Sequence, residues 1–288
     1  MPSITSSDQV RLNYTEFGNP SGRPVVLLAG FMAASTSWMF QTAALANAGY
    51  RVLAFDARGQ GESQKPNYGY RLARRGKDLA DFLEALDLRD AVLVGQSMGA
   101  STIWSYLGLF EPTRVSAVVS IDQTPRMLNS DDWRQGFYGF TRETLGTHFE
   151  HGVPDTGVGT PMMKRGMRLV RLIRAAKIRP GSAKPVPLDG NEMALLNDHS
   201  LQDWRDVVTR LTVPALFVAG AESEFWPAEH AAAAVALNER AEFAVIANAG
   251  HATNIEQHRD FNRVVLAFIA RLPPAALPPT APQPDAAA

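Results

Sequence analysis

Residues 90–101 read DAVLVGQSMGAS. Ala91–Val94 is an unbroken apolar run of the kind a buried strand needs, and TIWSYLGLF (102–110) continues as a helix. Between them, Gly95-Gln96-Ser97-Met98-Gly99 sets a serine between two glycines at a strand-to-helix junction. Glycines there permit a turn in which larger side chains would collide with the neighbouring strand and helix, and the turn pushes the serine hydroxyl out over the sheet. The start of the helix aims N–H groups at any anion that develops beside it. Ser97 is therefore a candidate nucleophile. The competing reading is a helix cap, which serine favours; the strand and helix on either side weigh against it.

Outward from this stretch the chain keeps a regular rhythm. The runs VVLLAG (25–30), RVLAFD (51–56), AVLVGQ (91–96), VSAVVSID (115–122), PALFVAG (214–220) and AEFAVIANAG (241–250) alternate with segments of helical period, the pattern of an α/β fold with a mostly parallel sheet covered by helices on both faces. Between Asp122 and Pro214 strong strand runs are missing. Helices are expected there over Asp131–Phe149, Met162–Ala176 and Asn191–Leu211, with Gly- and Pro-rich loops between them. The organisation read from this is a core of residues 1–122 and 212–272, a helical cap of 123–211 over the carboxyl edge of the sheet, and a tail of 273–288. That tail holds six of the nineteen prolines and almost nothing that could build a core, so it is expected to be extended or disordered.

Composition narrows the function. The 28 Lys and Arg residues against 29 Asp and Glu leave a net charge of -1, which gives no electrostatic reason for a nucleic-acid or anionic-membrane partner. A small-molecule substrate without strong charge is expected, and homo-oligomer formation is left open. There are no cysteines, hence no disulfide, thiolate metal site or cysteine nucleophile, which fits a reducing compartment. The N-terminus lacks a basic region followed by an apolar stretch, and no run of about 18 apolar residues occurs. A cytoplasmic enzyme without a membrane anchor is the expectation. No dinucleotide fingerprint, phosphate loop or metal-spaced cluster is found, so neither metal nor organic cofactor is expected.

A serine nucleophile needs a base and an oxyanion hole. Gly30-Phe31 follows the strand VVLLAG, where a turn points the Phe31 N–H into the same space as that of Met98; such donors contribute on the order of 3 kcal/mol each. Of six histidines, His148, His151 and His199 fall in the cap, and His230 and His258 fall in helical runs, where a solvated histidine is the ordinary reading. His251 follows Gly250 at the carboxyl edge of the sheet, the edge that also carries Ser97, and is the candidate base.

Five segments in this order, LLAGFMAASTSW (27–38), FDARGQGES (55–63), GQSMGA (95–100), the strand ending in GAES (220–223) and AGHATNIEQ (249–257), resemble the α/β-hydrolase superfamily. The similarity is to its esterase and non-heme chloroperoxidase-like branch and runs from about residue 5 to Leu272. It implies Ser97 as nucleophile, His251 as base, and the Phe31 and Met98 N–H groups as oxyanion hole. Asp56, Arg58, Gly59, Gly61 and Ser63 match a structural turn of that family. Two departures matter. The family commonly has histidine where Ala29 stands, so hydrogen bonds behind the oxyanion turn must differ. Its acid commonly stands at the position of Ser223, which cannot hold a negative charge; Glu222 and Glu224 are each out of register by one residue. Asp122, at the end of VSAVVSID, is the stronger candidate acid, because the adjacent strand can deliver a carboxylate to the same imidazole and some members of the superfamily use that position. Its ordinary alternative is a turn or cap residue ahead of Pro125.

For the substrate pocket, Phe31, Trp38, Trp133, Phe137 and Trp226 are the candidates, although aromatic residues of this kind more often pack a core. The basic residues at 164, 165, 168, 171, 174, 177 and 179 read as a solvated face. The reaction read from all this is hydrolysis of a small, largely apolar carboxylic ester through an acyl-serine. The alternatives are perhydrolase or chloroperoxidase behaviour, a cofactor-independent ring-cleaving dioxygenase, and a ligand receptor on the same fold. Gln96 and Met98 stand where the dioxygenases have histidines.

Overall fold

The computed structural model describes residues 1–176 and 187–274. The tail expected beyond Leu272 therefore lies, from residue 275 on, outside the described residues, as do Lys177 and Arg179. Eight strands form one sheet: β1 (Ser3–Thr5), β2 (Arg11–Gly18), β3 (Pro24–Leu28), β4 (Arg51–Phe55), β5 (Ala91–Gln96), β6 (Val115–Ile121), β7 (Ala215–Gly220) and β8 (Ala241–Ile246). Their spatial order is β1-β2-β4-β3-β5-β6-β7-β8. β2 pairs antiparallel with β1 and β4, and every other pair is parallel. The six parallel strands coincide with the six apolar runs.

The helices are α1 (Met39–Asn47), α2 (Leu72–Ala85), α3 (Met98–Leu109), α4 (Met167–Ala175), α5 (Gly190–Ser200), α6 (Arg205–Thr209), α7 (His230–Val235), α8 (Thr253–Glu256) and α9 (His258–Ala270). Alternate residues of each parallel strand face opposite sides. Val25, Leu27, Val92 and Val94 pack with Leu45 of α1 and Phe261, Val265 and Phe268 of α9. Val26, Leu28 and Leu93 pack with Leu79 and Phe82 of α2 and Ile103 of α3. Burial on both faces is why β3 to β7 are continuously apolar rather than alternating; β8, at the edge, is half-exposed.

β4 and β5 flank β3 on opposite sides, so the connections out of β3 and β4 run in opposite directions and open a crevice at the carboxyl ends of β3 and β5, the place where ligands enter sheets of this kind. The segment between β6 and β7 carries α4, α5 and α6; its Phe137, Phe149, Leu196 and His199 line the cavity at that edge, whereas Val207 and Val208 of α6 pack with Trp104 of α3. Its first part differs from expectation. Residues 131–149 form turns with a single 3-10 turn at Arg142–Thr144 rather than a helix. Gly139 and Gly146 take positive φ, and the Asn129 amide ties the Phe137 and Phe140 carbonyls into a loop, so backbone groups that a helix would use are already engaged.

Candidate active site

Ser97 sits between β5 and α3 with φ 54° and ψ −126°, a conformation that costs a non-glycine residue about 1–3 kcal/mol. Its neighbours hold it there: its N–H donates to Ile121 O at 2.9 Å, and Ala100 N donates back to its carbonyl at 2.8 Å. The flanking glycines are sterically required. A Cβ on Gly95 would press on the backbone of Gly99 and Ala100, and one on Gly99 would press on the Leu28 carbonyl, both well under 3.0 Å. The turn and the helix start aim the Met98 N–H outward, since the first amides of a helix have no intrahelical acceptor.

Gly30 lies against this turn, its missing Cβ leaving room for the Gln96 side chain and Ser97 Cβ. Its carbonyl accepts from Gln60 Nε2 at 3.0 Å and from Ala33 N at 3.2 Å, which orients the Gly30-Phe31 peptide and with it the Phe31 N–H. Gln60 belongs to the FDARGQGES turn. Asp56 of that turn accepts Ser35 N at 2.6 Å and Glu62 N at 3.1 Å, and Ser63 Oγ donates to the Asp56 carbonyl at 2.6 Å. The turn thus braces the Gly30-Phe31 loop, and Gln60 is a bracing residue that sequence reasoning missed.

Asp122 ends β6 at φ 43° and is fully buried. Gly220 N donates to its Oδ1 at 2.9 Å, Ser223 Oγ donates to its Oδ2 at 2.6 Å, and His251 Nδ1 lies 2.7 Å from Oδ2. A second ring, His230, places Nε2 at 3.7 Å from Oδ1. Burial alone would push this carboxyl up; His230 and His251 outweigh it and hold Asp122 at about 2, so it is an anion at neutral pH. His230 was expected on a solvated face. It is fully buried instead, because the Asp122 carboxylate lies under the start of α7.

Glu222 and Glu224 do not reach the imidazole. Glu224 Oε2 accepts the backbone N–H of His251 at 2.7 Å, while its other oxygen meets Arg165. Glu222 pairs with Arg168 at 2.8 Å and with Thr160. Arg165 also reaches the fully buried Glu256 at 3.0 Å. The expected solvated basic face is therefore wrong for Arg165 and Arg168, which turn inward because three acids await them, Glu222 and Glu224 after β7 and Glu256 at the end of α8.

Ser97 and His251 both line one cavity of about 300 Å³. Phe31, Phe137, Phe149 and Trp226 form apolar walls, and His199 and Asn254 add polar atoms. The His251 ring is held by Phe225, 4.3 Å between centroids, and by Trp226 at 5.4 Å. Of the five aromatic pocket candidates, Phe31, Phe137 and Trp226 line the cavity. Trp38 and Trp133 do not. Trp38 is buried in the core cluster with Val25 and Leu27 of β3 and Phe261 and Val265 of α9. Trp133 packs away from the cavity, with Nε1 donating to Thr124 Oγ1 at 3.2 Å and to Arg126 O at 3.0 Å. His199, one of three cap histidines, is the one that lines the cavity; burial, then the charges of Arg75 and His251, push it down to about 3, so it presents a neutral imidazole.

A sequence profile of the alpha/beta hydrolase fold matches residues 23–257, and the chain belongs to that family. A protein of Synechocystis provisionally named a non-heme chloroperoxidase is 29% identical over 93% of this chain and 100% of that one. A non-heme chloroperoxidase of Streptomyces lividans is 35% identical, over 46% of this chain and 48% of its own length. Among solved structures, a bromoperoxidase from Bacillus anthracis matches with a TM-score of 0.75 at 25% identity, covering 93% of this chain and 100% of that one. An esterase from Exiguobacterium antarcticum shares the fold at a TM-score of 0.74 and 20% identity, over 93% and 98% of the two chains. No helix among the described residues is long and apolar enough to cross a membrane.

Proposed function

We propose that the protein is a serine hydrolase acting on a small, largely apolar carboxylic ester. The observation that carries this reading is that Ser97 and His251 line one mainly apolar cavity while His251 Nδ1 lies 2.7 Å from the buried Asp122 carboxylate. In this reading His251 Nε2 takes the Ser97 proton as Oγ attacks the ester carbonyl. Asp122 keeps the proton on Nδ1 and offsets the imidazolium charge. The Phe31 and Met98 amides receive the oxyanion. The same imidazole returns its proton to the leaving alkoxide, then activates water, which releases the acid and restores Ser97. The domain reading that goes with this is a core of 1–122 and 212–272 under a cap of 123–211.

The names of the chloroperoxidase relatives favour a second reading on the same residues: hydrogen peroxide takes the place of water on the acyl-serine, giving a peracid and free serine. One experiment separates acyl chemistry from the dioxygenase and receptor readings. Hydrolysis of p-nitrophenyl acetate is measured for wild type and Ser97→Ala, with intact mass after a fluorophosphonate. Turnover lost in Ser97→Ala together with one adduct on wild type supports the proposal; folded wild type giving neither sinks it. Adding peroxide and assaying peracid then divides the two acyl-transfer readings.

A further inference from the structure

Behind the oxyanion turn lies a second cavity, of about 140 Å³, and Phe31 lines both it and the catalytic cavity. Its other walls include Arg58, Lys65, Tyr70, Arg75 and Glu192. Arg58 and Arg75 are both fully buried, yet their surroundings differ. Arg58 donates to Asp78 at 2.6 and 2.8 Å and to Asp8 at 2.9 Å, so its charge is matched. Among the described residues Arg75 has no carboxylate within ion-pair distance. Its Nη1 faces Met98 Sδ at 3.5 Å, a weak acceptor, and its Nε has no partner. Burial pulls Arg75 down to about 10, with Asp78 and Tyr70 opposing, which still leaves it cationic at neutral pH.

An unmatched buried guanidinium is costly, and chains seldom keep one without a partner. Around it, Lys65 is exposed on the rim. Glu192 is already committed to the start of α5, its carboxylate accepting Asp189 N at 2.9 Å. The cavity is thus net positive and small, with the exposed Met32 at its margin, and it is lined by a guanidinium without a carboxylate partner, a group suited to carboxylate and phosphate oxygens. We propose that this cavity is an anion subsite in which Arg75 and Lys65 bind a carboxylate or phosphate group. The anion is either a free small molecule or an acidic substituent of the substrate, and both use the same donors.

The test is calorimetric titration of the full chain with sodium malonate and, separately, inorganic phosphate, on wild type, Arg75→Met and Lys65→Gln. Wild type is expected to bind one of the two, with a melting temperature raised by about 3 °C at ten times Kd. Arg75→Met should weaken that binding by about tenfold or more. Without anion it should melt no lower than wild type, because removing an unmatched buried charge relieves its desolvation. Lys65→Gln, a surface change, should fold normally and weaken binding several-fold. A wild type that binds neither anion up to about 50 mM, or an anion response identical in all three proteins, overturns the proposal. The source of the anion is read by comparing p-nitrophenyl acetate with mono-p-nitrophenyl glutarate, an arm that rests on the esterase reading as the titration does not. A loss in Arg75→Met confined to the anionic ester assigns the site to the substrate; equal rates for the two esters, with anion binding lost, assign it to a free anion.

Discussion

Replacing Asp122 with asparagine changes one atom and, by the geometry around it, the tautomer of His251. Gly220 N–H points at Oδ1 from 2.9 Å and, being backbone, can only donate, so the asparagine oxygen must occupy that seat. The amide nitrogen is then forced into the Oδ2 seat, 2.7 Å from His251 Nδ1. There it donates to Nδ1, which moves the imidazole proton to Nε2 and leaves nothing to accept the Ser97 proton. Ser223 Oγ, 2.6 Å from the same seat, can rotate from donating to accepting, so the fold survives. A loss of about 10⁴ in kcat/KM is expected, with circular dichroism and melting cooperativity retained. Glu224→Gln is the matched control. It keeps an oxygen for the His251 amide and weakens only the contact with Arg165, so less than a tenfold loss is expected. The assay is p-nitrophenyl acetate hydrolysis together with the rate of fluorophosphonate labelling. Asp122→Asn within tenfold of wild type, or a larger loss in Glu224→Gln, would refute the assignment of the acid.

Gly99→Ala should lower stability by about 2–3 kcal/mol and displace the Met98 amide, because the new methyl meets the Leu28 and Ala29 backbone; Gly190→Ala, with open space around it, should be neutral, and equal melting temperatures for the two would contradict the steric reading. Arg165→Met should cost about 3 kcal/mol by taking the partner of Glu224 and leaving buried Glu256 only its longer contact with Arg168 at 3.5 Å, with partial recovery on adding Glu256→Gln; a single mutant as stable as wild type would show that the ion pairs are not formed. His199 ordinarily titrates near 6.5 and is held at about 3 here, so between those values the unfolded chain binds a proton that the native chain refuses, and stability falls as pH falls. His199→Gln should therefore flatten the melting-temperature profile from pH 6.5 down to about 4, whereas parallel profiles would place the histidine in water.

Parallel strands β3 to β7 were legible because burial on both faces demands continuous apolar runs, the half-exposed edge strand β8 by its β-branched and aromatic residues, and the serine turn because its glycines are sterically forced. β1 and β2 escaped notice. β2 (RLNYTEFG) mixes polar and apolar residues because only three of its eight are buried. Residues 131–149 misled because clustered aromatics pack a loop as well as a helix, and the side-chain bonds of Asn129 that decide between them are not periodic. The inward turn of Arg165 and Arg168 and the burial of His230 depend on acids 54 to 108 positions away in the chain, and residue spacing carries no trace of such contacts. Trp38 was misplaced by one position: its neighbour Ser37 faces the cavity.

Ser223 Oγ and His251 Nδ1 both meet Oδ2 of Asp122, at 2.6 and 2.7 Å, so positions 122 and 223 are two adjacent seats for a carboxyl beside that ring. A lineage whose acid moved from one seat to the other had to pass through a chain carrying carboxyls at both seats or at neither. With neither, the base loses its tautomer. With both, two carboxylates at that separation cannot both ionise, and one keeps its proton. A protonated carboxyl at 223 would donate to Asp122 as the serine hydroxyl does now. The crowded ancestor and the present chain would then share one hydrogen-bond pattern, and the exchange of seats could proceed by single substitutions without an inactive step.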